Sequence, residues 1–362
     1  MTFSVSPEFS NERNTLGMMG AGPIEMLARE MTAELHAIRD DARAEAESTS
    51  MPAFRELWAK DVYFGSITVF PDGTINPMGI EGVDWDLIIK PFHQKGAVVS
   101  LREFSNNAMN HHHGIQSIER FGGGTDPDQD GVSSELTTGD ITAITIFQAA
   151  LNTPGRVIPN DPARAAAIEQ GQSLFNQIGC STCHVPVMVL ENRWFTEPNP
   201  YNPPGNLHPS QVDEVFAFDM TKDGEKPRLE RVPGGGAVVM AFTDLKRHNL
   251  NDEDLNHFAN EQVPQGMLVG FAPASDFTIP PIPRPTEEFL TRKLWDAGNS
   301  GPYGHRGDLT TLTEAIHFHG GEARETRDAF FALSASQQGA IIEFLKSMQV
   351  LPPGSPKVVH SH

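Results

Sequence analysis

Cys180, Ser181, Thr182, Cys183 and His184 stand consecutively and use both cysteines of the chain. Two thiols two residues apart, with an imidazole directly after them, supply one chemistry in full. They give two thioether bonds to the vinyl groups of a porphyrin and one axial ligand to its iron. Other chemistries are served less well. A structural zinc ion is commonly held by four side chains in two spaced pairs, and there is no second Cys-x-x-Cys. A thioredoxin-like dithiol belongs at the start of a helix beside a βαβ pattern. A disulfide or chance would leave the adjacent histidine without a role. The spacing therefore predicts a covalently attached haem c with His184 as the proximal iron ligand.

The elements that must carry this pentapeptide are legible around it. Residues 161–175 read as an amphipathic helix, with Asp161 as N-cap, Pro162 at the first helical position and Ile168, Leu174 and Phe175 on one face. Gly179 ends that helix just before the first thiol. A second helix is expected at about residues 334–348, where Ile341, Ile342, Phe344, Leu345 and Met348 form a face able to pack against the first. Between them, residues 197–236 are rich in Pro, Gly and Asn and read as an irregular insertion wrapping the domain. In the first half, residues 22–47 form a long helical stretch striped by Ile24, Leu27, Met31, Leu35 and Ile38. Strands and turns are expected from 63 to 90, and a helix from 136 to 151. Pro154 to Pro162 carries three prolines and reads as a linker.

The chain has 362 residues, enough for two domains each with its own core. The expected domains are 1–155 and 163–352. Its formal charge of −20, from 27 basic and 47 acidic residues, argues against nucleic acid and anionic membranes as partners and suits docking onto a basic redox partner protein. No apolar run approaches the ~20 residues of a transmembrane segment.

A second metal pattern lies at 126–131. Asp126, Asp128, Asp130 and Gly131 occupy positions one, three, five and six of a calcium loop, with Thr137 at the twelfth place and Glu135 two residues early. Calcium pinning the end of the first domain is expected there; the alternative is a solvated acidic turn capping the next helix.

Further segments carry a family resemblance. Phe242-Thr243-Asp244-Leu245-Lys246-Arg247-His248, Lys293-Leu294-Trp295, Gly301-Pro302-Tyr303-Gly304-His305-Arg306-Gly307 and the run from Leu312 to Ala323 follow in order. This set resembles the bacterial di-haem oxidoreductase family, related to di-haem cytochrome c peroxidases and sometimes described as thiol-oxidoreductase-like. The likeness covers about 163–348 well and 82–156 more loosely. It implies a mainly α fold: a cytochrome c-like domain with long loops plus a related N-terminal, mostly helical domain with a few short strands. It implies a periplasmic location, which the start of the chain, lacking an export leader, does not supply. It also implies a second haem motif upstream of Met1; the alternative is a mono-haem member whose first domain has lost its cofactor.

The same resemblance bears on the second axial ligand. Related peroxidases place a methionine after the helix matching 312–318, and His319 stands at that place. His305 is next in line, followed by His317, His248, Met240 and Met267. Gly320-Gly321-Glu322 and Tyr303 are expected to shape the pocket. The triplet His111-His112-His113 precedes Gly114, where the family sets a haem-facing residue, so His113 is expected either as a vacant ligand position or as a structural residue. The function implied is electron transfer by a periplasmic c-type cytochrome; the alternative is reduction of hydrogen peroxide, whose reactive haem would belong to the domain lacking its cysteines.

Overall fold

The structure, a computed structural model, describes Asn14, residues 17–254 and residues 285–361. Candidate ligand Met267 lies outside the described residues. The long first helix, α1 (Ala21–Thr49), buries Ile24, Leu27, Met31 and Leu35 as its stripe demands. It lies against an antiparallel meander of β1 (Ala53–Ala59), β2 (Val62–Val69) and β3 (Ile75–Asn76). The β1–β2 turn is two residues, Lys60 and Asp61, both with positive φ, the primed geometry that suits a twisted hairpin. Glu30 of α1 receives the Lys60 ammonium at 2.8 Å and Glu34 its backbone N–H at 2.8 Å, which holds a turn that contains no glycine. Then come α2 (Leu101–His113), α3 (Ile118–Phe121) and α4 (Thr138–Ala149), the last opened by a Thr137/Asp140 capping box.

The second half begins with β4 (Gly155–Pro159) and α5 (Pro162–Gln177). Short strands follow: β5 (Met188–Leu190), β6 (Trp194–Glu197), β7 (Phe216–Asp219), β8 (Glu230–Arg231), β9 (Ala237–Val239), β10 (Arg247–Asn249) and β11 (Glu288–Leu290). The chain ends in α6 (Leu312–His317), α7 (Arg324–Ala332), α8 (Ala335–Ser347), β12 (Met348–Gln349) and β13 (Val358–Ser361).

The expectation of a mainly α fold is overturned. Among the described residues, thirteen strands in five small sheets accompany the helices, with 36% of those residues helical and 18% extended. Strands of two to four residues have no period to read; their order comes from partners far along the chain. The segment expected as a linker holds β4, the middle strand between β12 and β13. The insertion at 197–236 is likewise partly regular, and its role differs from the one expected. Phe195, Phe218, Met220 and Leu229 join the core built on α1 and the meander, while the helices around the cysteines form a separate core. The insertion therefore covers the first half rather than wrapping the second.

A buried ionic cluster fastens that cover. Arg102 of α2 is fully buried and binds Glu197, Glu119 and Thr142 at once. Glu25 of α1 accepts from Asn199 (2.8 Å) and from the Leu101 N–H (2.8 Å). No helix of the described residues is long and apolar enough to cross a membrane.

Candidate haem site

Helix α5 aims the cysteines. The Asp161 carboxylate accepts the Arg164 N–H (2.8 Å) and Pro162 needs no partner, so the first turn is capped as its sequence predicts. Its buried face, Ile168, Leu174 and Phe175, packs on Ile341, Phe344 and Leu345 of α8, itself opened by a Ser334/Gln337 capping box. The helices touch because residue 171 is glycine: a Cβ there would stand 2.0 Å from the Ala340 carbonyl oxygen. Gly179, at φ 94°, takes the left-handed step that ends α5. A 3-10 turn over Cys180–Thr182 follows, and the His184 N–H donates to the Cys180 carbonyl (3.0 Å). The five residues thus curl into one compact turn with both thiols and the imidazole facing a single cavity.

His319 faces His184 across that cavity, their ring centres 6.5 Å apart and the rings inclined at 48°. Each ring is aimed by its Nδ1. That of His184 donates to the Phe242 carbonyl (3.2 Å), and that of His319 to the Ala315 carbonyl (2.7 Å). A carbonyl can only accept, so both protons sit on Nδ1 and both Nε2 lone pairs are available, the second-layer arrangement typical of metal-binding histidines. Burial keeps both rings neutral: that of His184 is lowered to about 4, with His319 adding to the shift, and His319 is lowered as well. One iron taking both nitrogens at about 2 Å each needs ring centres roughly 6 Å apart, and the observed pair meets that distance. The cavity of about 460 Å³ is bounded by Phe175, Leu294, Ile316, Ile341 and Leu345 besides the cysteines and histidines. The residues present therefore fit a haem.

The remaining candidates are placed otherwise. His305 lines the same cavity and is buried; its Nδ1 donates to Gln94 Oε1 of the first half (2.6 Å). His248 is clamped between Asp244 (2.8 Å to Nε2) and Glu322 (2.8 Å to Nδ1). Burial opposes its charge, but hydrogen bonds with Asp244, Cys183 and Glu322 outweigh that and push it up to about 12. Both its nitrogens are protonated and neither can ligate iron. Cys183, Asp244 and His248 bring ligand atoms within 4.8 Å of one another, one side chain short of a four-residue zinc set. His317 stacks edge-on against Phe318 and Phe331 on the exposed side of α6, and Met240 is exposed. Tyr303 and Glu322 do line the cavity.

Sequence reasoning missed Gln94, the Phe242 carbonyl and Arg292. Phe242 stood within a quoted segment, but a backbone acceptor leaves no mark in residue type. His113 ends α2 exposed to solvent. Asp126, Asp128 and Asp130 do converge within 4.8 Å, while Glu135 is committed to the Gln116 N–H (2.7 Å).

Residues 283–348 match the family described as "Di-haem oxidoreductase, putative peroxidase". The resemblance read from the sequence is thus borne out over the segment that holds Tyr303, His305, His319 and α8. No curated protein matches the chain. Among solved structures, hydrazine synthase of Kuenenia stuttgartiensis, pressurised with xenon, is similar at 16% identity and a TM-score of 0.36, over 80% of this chain and 78% of that one. A MauG-like protein associated with microbial copper homeostasis is similar at 15% identity and a TM-score of 0.34, over 94% and 92%. At these scores neither fixes the fold.

Proposed function

We propose that this chain is a haem-dependent oxidoreductase of the di-haem type whose C-terminal half is a c-type cytochrome, working in the periplasm as an electron-transfer centre. The single observation that carries the reading is the opposed pair His184 and His319, each tethered through Nδ1 at the spacing two axial ligands require. Cys180 and Cys183 would hold the porphyrin edge. Burial pushes the Cys180 thiol up to about 12, so in the folded chain without haem it stays protonated and a poor nucleophile. The bound group supplies one-electron chemistry at iron. The protein supplies two neutral imidazoles, a cavity walled by apolar side chains, and two carbonyls that fix ring orientation.

If His184 and His319 both hold the iron, they would leave no place on it for peroxide, which favours electron transfer over the peroxide reductase reading. The potential should lie below that of a His/Met centre, because thioether sulfur favours the reduced iron. Protein purified from cells with working cytochrome maturation should show a Soret band that survives acid–acetone extraction and a low-spin spectrum. His319→Ala should turn that spectrum high-spin and raise peroxide turnover with a reduced cytochrome as donor. A colourless wild-type product, or a His319→Ala spectrum identical to wild type, would refute the assignment.

A further inference from the structure

Among the described residues, four cationic side chains line the cavity between His184 and His319: His248, Arg292, Lys293 and Arg327. Three are already neutralised. His248 lies between two carboxylates, Lys293 meets Asp296 at 2.7 Å, and Arg327 meets Asp328 at 2.6 Å. Arg292 differs: among the described residues no carboxylate lies within ion-pair distance of it, although it follows Thr291, whose backbone is fixed by the Lys246 carbonyl (3.0 Å). Arg292 is half-buried, and desolvation lowers its pKa, opposed by the charges of Asp296 and Tyr303. A cation taken out of water without a counter-charge costs several kcal/mol, and such groups are retained where something else supplies the charge.

We propose that Arg292 is the anchor for a propionate group of the cofactor, a role that rests on the haem reading above. A haem carries two carboxylates on one edge and is otherwise apolar. Phe175, Ile341 and Leu345 line this cavity with apolar surface, and Arg292 is the one described lining cation without an ion pair. The guanidinium fork fits a carboxylate through two parallel hydrogen bonds, which a compact ammonium cannot reproduce. Arg292 therefore does two things. It fixes which way the porphyrin lies relative to the thioether bonds, and it places a positive charge beside the iron that favours the ferrous state. It is a positioning residue and touches no axial ligand.

The test uses the full chain, matured with haem, as wild type, Arg292→Gln and Arg292→Lys. Removing one elementary charge roughly 10 Å from the iron, at an effective dielectric constant near 20, should lower the ferrous-to-ferric ratio at a fixed poise about tenfold. That fold-change corresponds to about 59 mV for a one-electron couple. Arg292→Lys should keep most of the ratio, because it keeps the charge. The propionate-bending band in the resonance Raman spectrum should move in both variants, because both lose the two-pronged contact. A wild-type-like potential and band in Arg292→Gln overturns the proposal. Should Arg292→Gln not retain haem, Arg292→Lys decides: an unmoved band refutes the anchor. A wild-type chain without haem would instead refute the functional reading, so the two failures are distinguishable.

Discussion

Glu197 reports on the buried ionic cluster at the level of one proton. Burial pushes its carboxyl up to about 7, against the pull of Arg102, with Glu25 adding to the push, and its Oε2 has no hydrogen-bond partner among the described residues. In the unfolded chain a glutamate titrates near 4.3. Between those values the folded state holds more of this proton than the unfolded state does. The contribution is thus complete below about pH 4.3 and is lost as the pH rises through about 7. Glu197→Gln keeps the neutral shape at every pH. It should lose less melting temperature than the wild type between about pH 5 and about pH 8, the difference being a few degrees. Equal losses in the two proteins would show that Glu197 is ionised throughout. None of this is written in the sequence near Glu197, because its partner Arg102 is 95 residues away. The Cys180–His184 turn is the opposite case: its residues lie within five positions, so the haem attachment proposed for them is argued from spacing alone. The proposal of His319 as a ligand rests on the family's order of residues, and its tether to Ala315, four residues back, is helix geometry that the sequence permits without announcing.

Helices α5 and α8 set the floor of the site, and one missing methyl group sets their distance. Gly171→Ala on an exposed helix face would be favourable by up to about 1 kcal/mol. Here the new Cβ meets a backbone oxygen at 2.0 Å, which no rotamer change can relieve. Overpacking of this kind costs about 1–3 kcal/mol, so the clash outweighs the propensity gain. Gly171→Ala should therefore melt several degrees below wild type, and its haem spectrum should show altered axial geometry. A variant melting at or above the wild-type temperature would mean that the two helices separate freely. These helices were readable because their caps are local: Asp161 with Pro162, and Ser334 with Gln337, sit within one turn of what they cap. The strands were not. β4 spans a proline-marked stretch because Met348, Gln349 and Val358–Ser361 come to it from nearly 200 residues away.

The two halves of the molecule meet where His305, which lines the cavity, donates to Gln94, and also where the Arg247 N–H donates to the Gly82 carbonyl (2.9 Å). Any partner would contend with a formal charge of −20. A charge of that size repels anionic surfaces and would attract a basic partner through a field that reaches about 30 Å at 0.01 M salt and about 3 Å at 1 M. Covalent attachment of a haem adds its propionates and leaves the sign unchanged. If electrons pass to or from a basic partner, steering contributes to the encounter rate, and steering is what salt removes. The second-order rate constant for electron exchange with a small basic cytochrome should fall at least tenfold between about 0.01 M and about 1 M salt, while exchange with a small acidic cytochrome should rise as repulsion is screened. Stopped-flow measurement of both series separates the field from any general effect of salt on the haem, because only the field acts with opposite sign on the two partners. Parallel changes in both would remove electrostatic steering as the basis of partner choice.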